Sequence, residues 1–99
     1  TERSLELFSA DLAFQGADGI GLDGSLYNSD LRLAQVDRLI RRVARACCIL
    51  ADHTKIGRTA LARSGNLSDA GTFITDAGAP PAALRRFARL GLKVVVARA

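Results

Sequence analysis

Two short segments gather the polar groups of this chain that could do chemistry. In one, Cys47-Cys48-Ile49-Leu50-Ala51 runs into Asp52-His53-Thr54-Lys55-Ile56-Gly57. Five small or apolar residues thus end in a carboxylate, an imidazole, a hydroxyl and an ammonium. In the other, Leu12-Ala13-Phe14-Gln15 is followed by Gly16-Ala17-Asp18-Gly19-Ile20-Gly21. A carboxylate beside an ammonium can bind a polyol that carries a phosphate. Glycines let a backbone turn tightly or approach a ligand closely. Each segment also has a plainer reading. Asp52 and Lys55 suit a local ion pair, or a turn in which Asp52 accepts from nearby amides. The glycine run suits an ordinary exit from a strand.

Other chemistries fit less well. The glycine run is not a dinucleotide fingerprint: its order is reversed from G-x-G-x-x-G, and the next helix starts about eight residues too late to offer its N-terminus to a pyrophosphate. Zinc lacks a tetrahedral set, because His53 is the single histidine and the two cysteines are adjacent. Catalysis by a Ser/His/Asp arrangement would have to run through His53, and no other residue pattern supports it. His53 therefore reads as structural or peripheral, and no metal or cofactor is expected.

The elements that must position these groups follow from the pattern. Asp11–Gln15, Cys47–Ala51, Thr72–Thr75 and Lys93–Val96 read as strands, short apolar runs bounded by turn residues. Gly16–Asn28 reads as loop, Arg58–Ser64 as a helical turn, and Gly65–Ser68 as loop. A helix over about Asp30–Ala46 starts at Ser29 or Asp30, whose side chains can accept from its free amides. Its predicted buried stripe is Val36, Leu39, Ile40 and Val43. A second helix opens at Pro80-Pro81 and buries Leu84, Phe87, Ala88 and Leu90, with Gly91 as its terminator. Thr1 to about Ala10 reads as the end of a further helix. Alternating strands and helices imply an α/β fold with a parallel sheet covered by helices. Both chemistry-bearing turns would then leave the carboxyl ends of strands, where such sheets collect ligands.

Composition sets the outer bounds. Ninety-nine residues, 48% hydrophobic and 24% charged, make one ordinary globular domain with a modest core. No apolar run approaches the ~20 residues that cross a bilayer. Adjacent cysteines in a strand face opposite sides, so a disulfide between them is not expected, and the thiols read as reduced in a cytoplasm. The charge of +4 invites a nucleic-acid reading. However, Arg32, Arg38, Arg41, Arg42 and Arg45 on one predicted helix, and Arg85, Arg86 and Arg89 on the other, fall between the apolar positions. Solvated faces carry charge in that way. With one Tyr and no Trp, there is also no aromatic interleaving for bases to stack on. The chain contains no Met, even at position 1, and is expected to have been cut from something longer.

Asp11-Leu12-Ala13-Phe14-Gln15-Gly16-Ala17-Asp18-Gly19-Ile20 together with Leu50-Ala51-Asp52-His53-Thr54-Lys55-Ile56-Gly57 resembles the C-terminal effector-sensing domain of the DeoR family of bacterial transcriptional regulators. The similarity continues through Arg63-Ser64-Gly65-Asn66-Leu67 and Thr75-Asp76 to the last strand, essentially the whole chain. Ile56 replaces a usual aromatic residue, and Leu26-Tyr27-Asn28 a commoner threonine-containing turn. The resemblance implies a fold shared with ribose-5-phosphate isomerase and coenzyme A transferases, a parallel sheet with helices on both faces. Residues 1–99 would be the C-terminal part of the sensor. The N-terminal winged helix-turn-helix and the sensor's early glycine-threonine loop would lie outside this chain. The implied ligand is a phosphorylated sugar or sugar alcohol that alters operator binding. Gly16, Ala17 and Gly19 would give backbone approach, Asp18 and Asp52 would accept sugar hydroxyls, and Lys55 would neutralise phosphate or hold its turn. The implied protein is a cytoplasmic repressor and a homo-oligomer that touches DNA only through the absent domain, with neither catalysis nor membrane contact.

A second resemblance runs to ribose-5-phosphate isomerase itself, through Gly16-Ala17-Asp18 and Ala51-Asp52-His53-Thr54-Lys55. Aldose–ketose isomerisation needs a carboxylate base and electrophilic help for the carbonyl. Gly19 and Gly21 stand where those enzymes carry acidic residues, and no Lys-Gly-Gly element follows. A phosphosugar isomerase-like fragment is therefore the alternative reading.

Overall fold

The computed structural model describes residues 12–97; the helix expected within Thr1–Ala10 lies outside them. The elements are β1 (Leu12–Gly16), β2 (Gly19–Ile20), β3 (Ser25–Asn28), α1 (Leu31–Val43), β4 (Ala46–Leu50), β5 (Ala62–Asn66), β6 (Thr72–Asp76), α2 (Pro81–Ala88) and β7 (Lys93–Ala97). Short 3-10 turns cover His53–Lys55 and Leu67–Asp69. The four strands expected from sequence are present and form one parallel sheet in the order β1-β4-β6-β7. Gly16 pairs with Leu50, Leu50 with Ile74, and Ile74 with Val95, so all four strands end at one edge.

That order steps in one direction. Right-handed crossovers between parallel strands then place every connection on the same face. Burial agrees. Ala13, Gln15, Cys47, Ile49, Phe73 and Thr75 are buried, whereas Leu12, Phe14 and Leu50, on the other face, are 48%, 61% and 41% exposed. The covered face holds the core, where Ile20, Leu26, Leu67 and Phe87 close over Ile49 and Phe73. Phe73 and Phe87 meet edge to face with centroids 5.6 Å apart, a favoured aromatic geometry. Among the described residues, the expected cover is therefore present on one face of the sheet.

Two expectations need correction. Gly16–Asn28 is not simply loop: it contains β2 and β3, which join β5 in a three-stranded antiparallel sheet, order β2-β3-β5. Arg58–Ser64 holds no helical turn, since Ala62–Asn66 is β5 and the helical turn falls earlier, at His53–Lys55. Both errors have one cause. Ala62-Arg63-Ser64-Gly65-Asn66 has almost no apolar signal, and it becomes a strand because its partner β3 brings Leu26 into the core. Strand preference of this kind is set by neighbours more than by residue type.

Helix α1 starts where expected, with the Asp30 carboxylate accepting from the amides of Arg32 and Leu33 at 2.7 and 3.4 Å. Its inward face differs from the predicted stripe. Ala34 and Leu39 are buried and Ile40 packs against the core, but Val36 is 43% exposed. Polar groups take the inward place instead. The Gln15 side chain donates to the Asp37 carbonyl at 2.9 Å, Asn28 donates to the Asp37 carboxylate at 2.9 Å, and Arg41 donates to Gln15 Oε1 at 2.9 Å and to the Ser64 carbonyl. Arg41 is thus no solvated surface charge. Burial pushes its pKa down, opposed by Cys47, Asp37 and Asp69 nearby. Both thiols are free, Cys47 buried on the covered face and Cys48 half-buried on the other. Burial pushes the Cys47 thiol up.

Candidate site at the carboxyl edge of the sheet

Strand β1 ends at Gly16, opposite Leu50 at the end of β4, so the two chemistry-bearing turns emerge side by side. Between them and the start of α1 lies a cleft of about 700 Å³. Gly16, Ala17 and Asp18 line it from the first turn, and Asp52 and Lys55 from the second. These five residues, expected from sequence to share a ligand, are brought together. Gly19 is not among the lining residues. It is buried in β2, where a Cβ would lie 2.5 Å from the Arg58 carbonyl oxygen. Its glycine serves close packing of the second turn against β2.

The second turn is built locally. Asp52 precedes the 3-10 turn and accepts from the Thr54 amide at 2.8 Å and from the Thr54 hydroxyl. These bonds, hydroxyl first, hold its carboxyl below the ordinary carboxylate value. The turn closes at Gly57, whose φ of +84° suits glycine and whose amide donates to the Ile20 carbonyl at 2.6 Å. The first turn is instead held from a distance. Asp18 accepts from the Ser29 amide at 2.7 Å and the Ser29 hydroxyl at 2.9 Å, across eleven positions of chain. Those two bonds, the amide first, lower its pKa, and the nearby Lys55 charge adds to the effect.

Five further polar residues line the cleft: Gln15, Asn28, Asp37, Thr75 and Asp76. Asp76 had a legible signal, because it ends a third parallel strand in the same way that Asp52 follows a second. Its carboxylate oxygens both lie 3.0 Å from His53 Nδ1, and the Gly78 amide donates to it at 3.2 Å. The pairing raises the His53 pKa and lowers that of Asp76. His53 itself does not line the cleft, in keeping with a peripheral role. Asn28 and Asp37 had no local signal; β3 and α1 carry them in. Among the described residues, no group of three or more His, Cys, Asp or Glu side chains is placed to hold a metal ion.

The family model for the DeoR C-terminal sensor domain matches residues 1–77, which include both turns and β1 to β6. The chain belongs to the DeoR C-terminal sensor domain family. Among its relatives, a glycerol-3-phosphate regulon repressor of Haemophilus influenzae is 38% identical over 69 residues, which are 70% of this chain and 27% of that protein. The Escherichia coli protein of the same name is 34% identical over 73 residues, 74% of this chain and 29% of the relative. The E. coli HTH-type transcriptional repressor CsqR is 35% identical over 78 residues, 79% of this chain and 30% of its own. The matched part of this sensor domain thus spans under a third of each of these relatives.

Proposed function

We propose that this sensor domain binds a phosphorylated sugar or sugar alcohol in the carboxyl-edge cleft, as the effector of a bacterial transcriptional repressor. The observation that carries the reading is the convergence of Gly16, Ala17 and Asp18 with Asp52 and Lys55 in one cleft. Asp18 and Asp52, kept ionised, accept ligand hydroxyls. Lys55 offers the ammonium that a phosphate needs. The relatives named for a glycerol-3-phosphate regulon support a small phosphorylated polyol. DNA is bound by a separate winged helix-turn-helix, and the repressor is a cytoplasmic homo-oligomer. The apolar face carrying Leu12, Phe14 and Leu50 offers surface for association. Analytical ultracentrifugation showing a stable monomer at high concentration counts against that last element.

Binding without turnover is favoured over isomerisation because Gly19 and Gly21 stand where phosphosugar isomerases carry acidic residues, and because the relatives are named as repressors. Asp18, Asp52 and Asp76 are held below the ordinary carboxylate value by hydrogen bonds and serve as acceptors. Calorimetric titration of the full-length protein with sn-glycerol 3-phosphate, ribose 5-phosphate and glucose 6-phosphate tests the reading. Saturable binding of one of them, with no isomerised product by NMR, is expected. No binding, or turnover, overturns it.

A further inference from the structure

Thr75 is the one buried side chain among the described residues whose polar atom has no hydrogen-bond partner. The residue is 4% exposed, sits next to the end of β6, and lines the carboxyl-edge cleft beside Ala51 and Asp76. Its neighbours in the covered layer show how such groups are normally treated. Gln15, Asn28 and Ser64 are just as buried, and all three are hydrogen-bonded. Native proteins pair nearly all buried polar atoms, so an orphan asks for a missing partner. Valine has the same shape and an equal liking for strands, so packing alone gives no reason for a hydroxyl here. Binding sites, by contrast, set a few polar groups among apolar walls and leave them waiting for a ligand.

We propose that the Thr75 hydroxyl is a specificity-determining contact of this sensor domain, hydrogen-bonding a hydroxyl group of the bound polyol phosphate. The inference rests on the effector reading above. It assigns Thr75 to the hydroxyl-bearing part of the ligand, not to the phosphate, because of the local charge. Asp18, Asp37, Asp52 and Asp76 line the cleft with Lys55 as the single cation among the lining residues. A phosphate in this carboxylate-lined part of the cleft meets like charge, whereas an uncharged ligand hydroxyl meets none and can accept from Thr75. A site built to bond a hydroxyl also rejects analogues that lack it, because its own polar atom is then stranded.

The test uses the full-length protein as wild type, Thr75→Val and Thr75→Ser, titrated calorimetrically with sn-glycerol 3-phosphate, ribose 5-phosphate, glucose 6-phosphate and inorganic phosphate. Thr75→Val should weaken the phosphorylated polyol that binds wild type by roughly tenfold or more, with phosphate affinity unchanged. Thr75→Ser, which keeps the hydroxyl, should stay within about threefold of wild type. Without ligand, Thr75→Val should melt no lower than wild type, since it removes an unpaired buried group. Wild-type affinity in Thr75→Val, an equal loss for inorganic phosphate, or a lower ligand-free melting temperature overturns the inference while leaving the effector reading intact. Wild type that binds none of the phosphorylated compounds overturns the effector reading, and this inference with it.

Discussion

The two faces of the parallel sheet are made from the same strands and have opposite fates. On the covered face, Phe73 is fully buried against Phe87; on the open face, Phe14 is 61% exposed. Strand alternation sends neighbouring residues to opposite sides, so β1 and β4 are about as apolar toward the open side as toward the core. The one-way strand order, not hydrophobicity, decides which face is closed. The cleft lies where the two faces meet, taking Gln15 and Thr75 from the covered side and Phe14, Leu50 and Asp76 from the open side. A site of this kind inherits a dry wall with orphaned polarity and a wet wall with ionised carboxylates.

The sharpest way to break the contrast is to truncate both aromatics. Phe73→Ala should cost about 3–5 kcal/mol by denaturant titration, enough to unfold a marginal domain. Phe14→Ala should cost under about 1 kcal/mol, as for surface positions. Equal costs would show that the open face is covered in the protein.

The polar layer under α1 comes next in size. Asp37→Ala removes the acceptor of the buried Asn28 amide, and stranding such a donor costs about 1–3 kcal/mol. An unchanged denaturation midpoint would mean that the α1 inner face is not held through Asp37.

Lys55→Ala should separate binding from stability. Affinity for the phosphorylated ligand should fall roughly tenfold, more than for its unphosphorylated parent, while stability shifts by no more than about 0.5 kcal/mol. Calorimetry with both ligands, beside a thermal melt, reads the two effects. Unchanged affinity for the phosphorylated compound would leave Lys55 with a structural role only.

The smallest effect is the pH dependence of the His53–Asp76 pair at the cleft rim. The His53 pKa is raised above 6.5, so its contribution is complete below that value and is lost as pH rises through the higher folded value. The Asp76 pKa is lowered below 3.8, so its contribution is present above that value and is lost as pH falls through the lower one. The melting-temperature difference between wild type and His53→Ala should therefore be larger near about pH 5.5 than near about pH 8.5. A difference that grows with pH would contradict the pairing.

Legibility tracked the range of the interactions involved. Asp52 was readable because its partner Thr54 is two residues away and the turn follows an unmistakable apolar run. Asp18 was readable as a candidate, but the Ser29 bonds that aim it were not, since they span β2 and β3. The family resemblance gives Gly19 a part in ligand approach, yet its neighbour is the Arg58 carbonyl. Helical spacing puts Val36 inside, but Asp37 and Arg41 face inward because Gln15 and Asn28 pair with them there.

Sequence alone determined the four parallel strands, the start of α1 at Asp30, the two polar turns at strand ends and the family, because each rests on signals a few residues long or on directly matched residues. Tertiary structure decided that Ala62–Asn66 is a strand, which face of the sheet is closed, that Asn28 and Asp37 reach the cleft, and that the Thr75 hydroxyl has no partner among the described residues. Each of those depends on groups far apart in the chain, and no local propensity encodes which distant surface a short polar segment will meet.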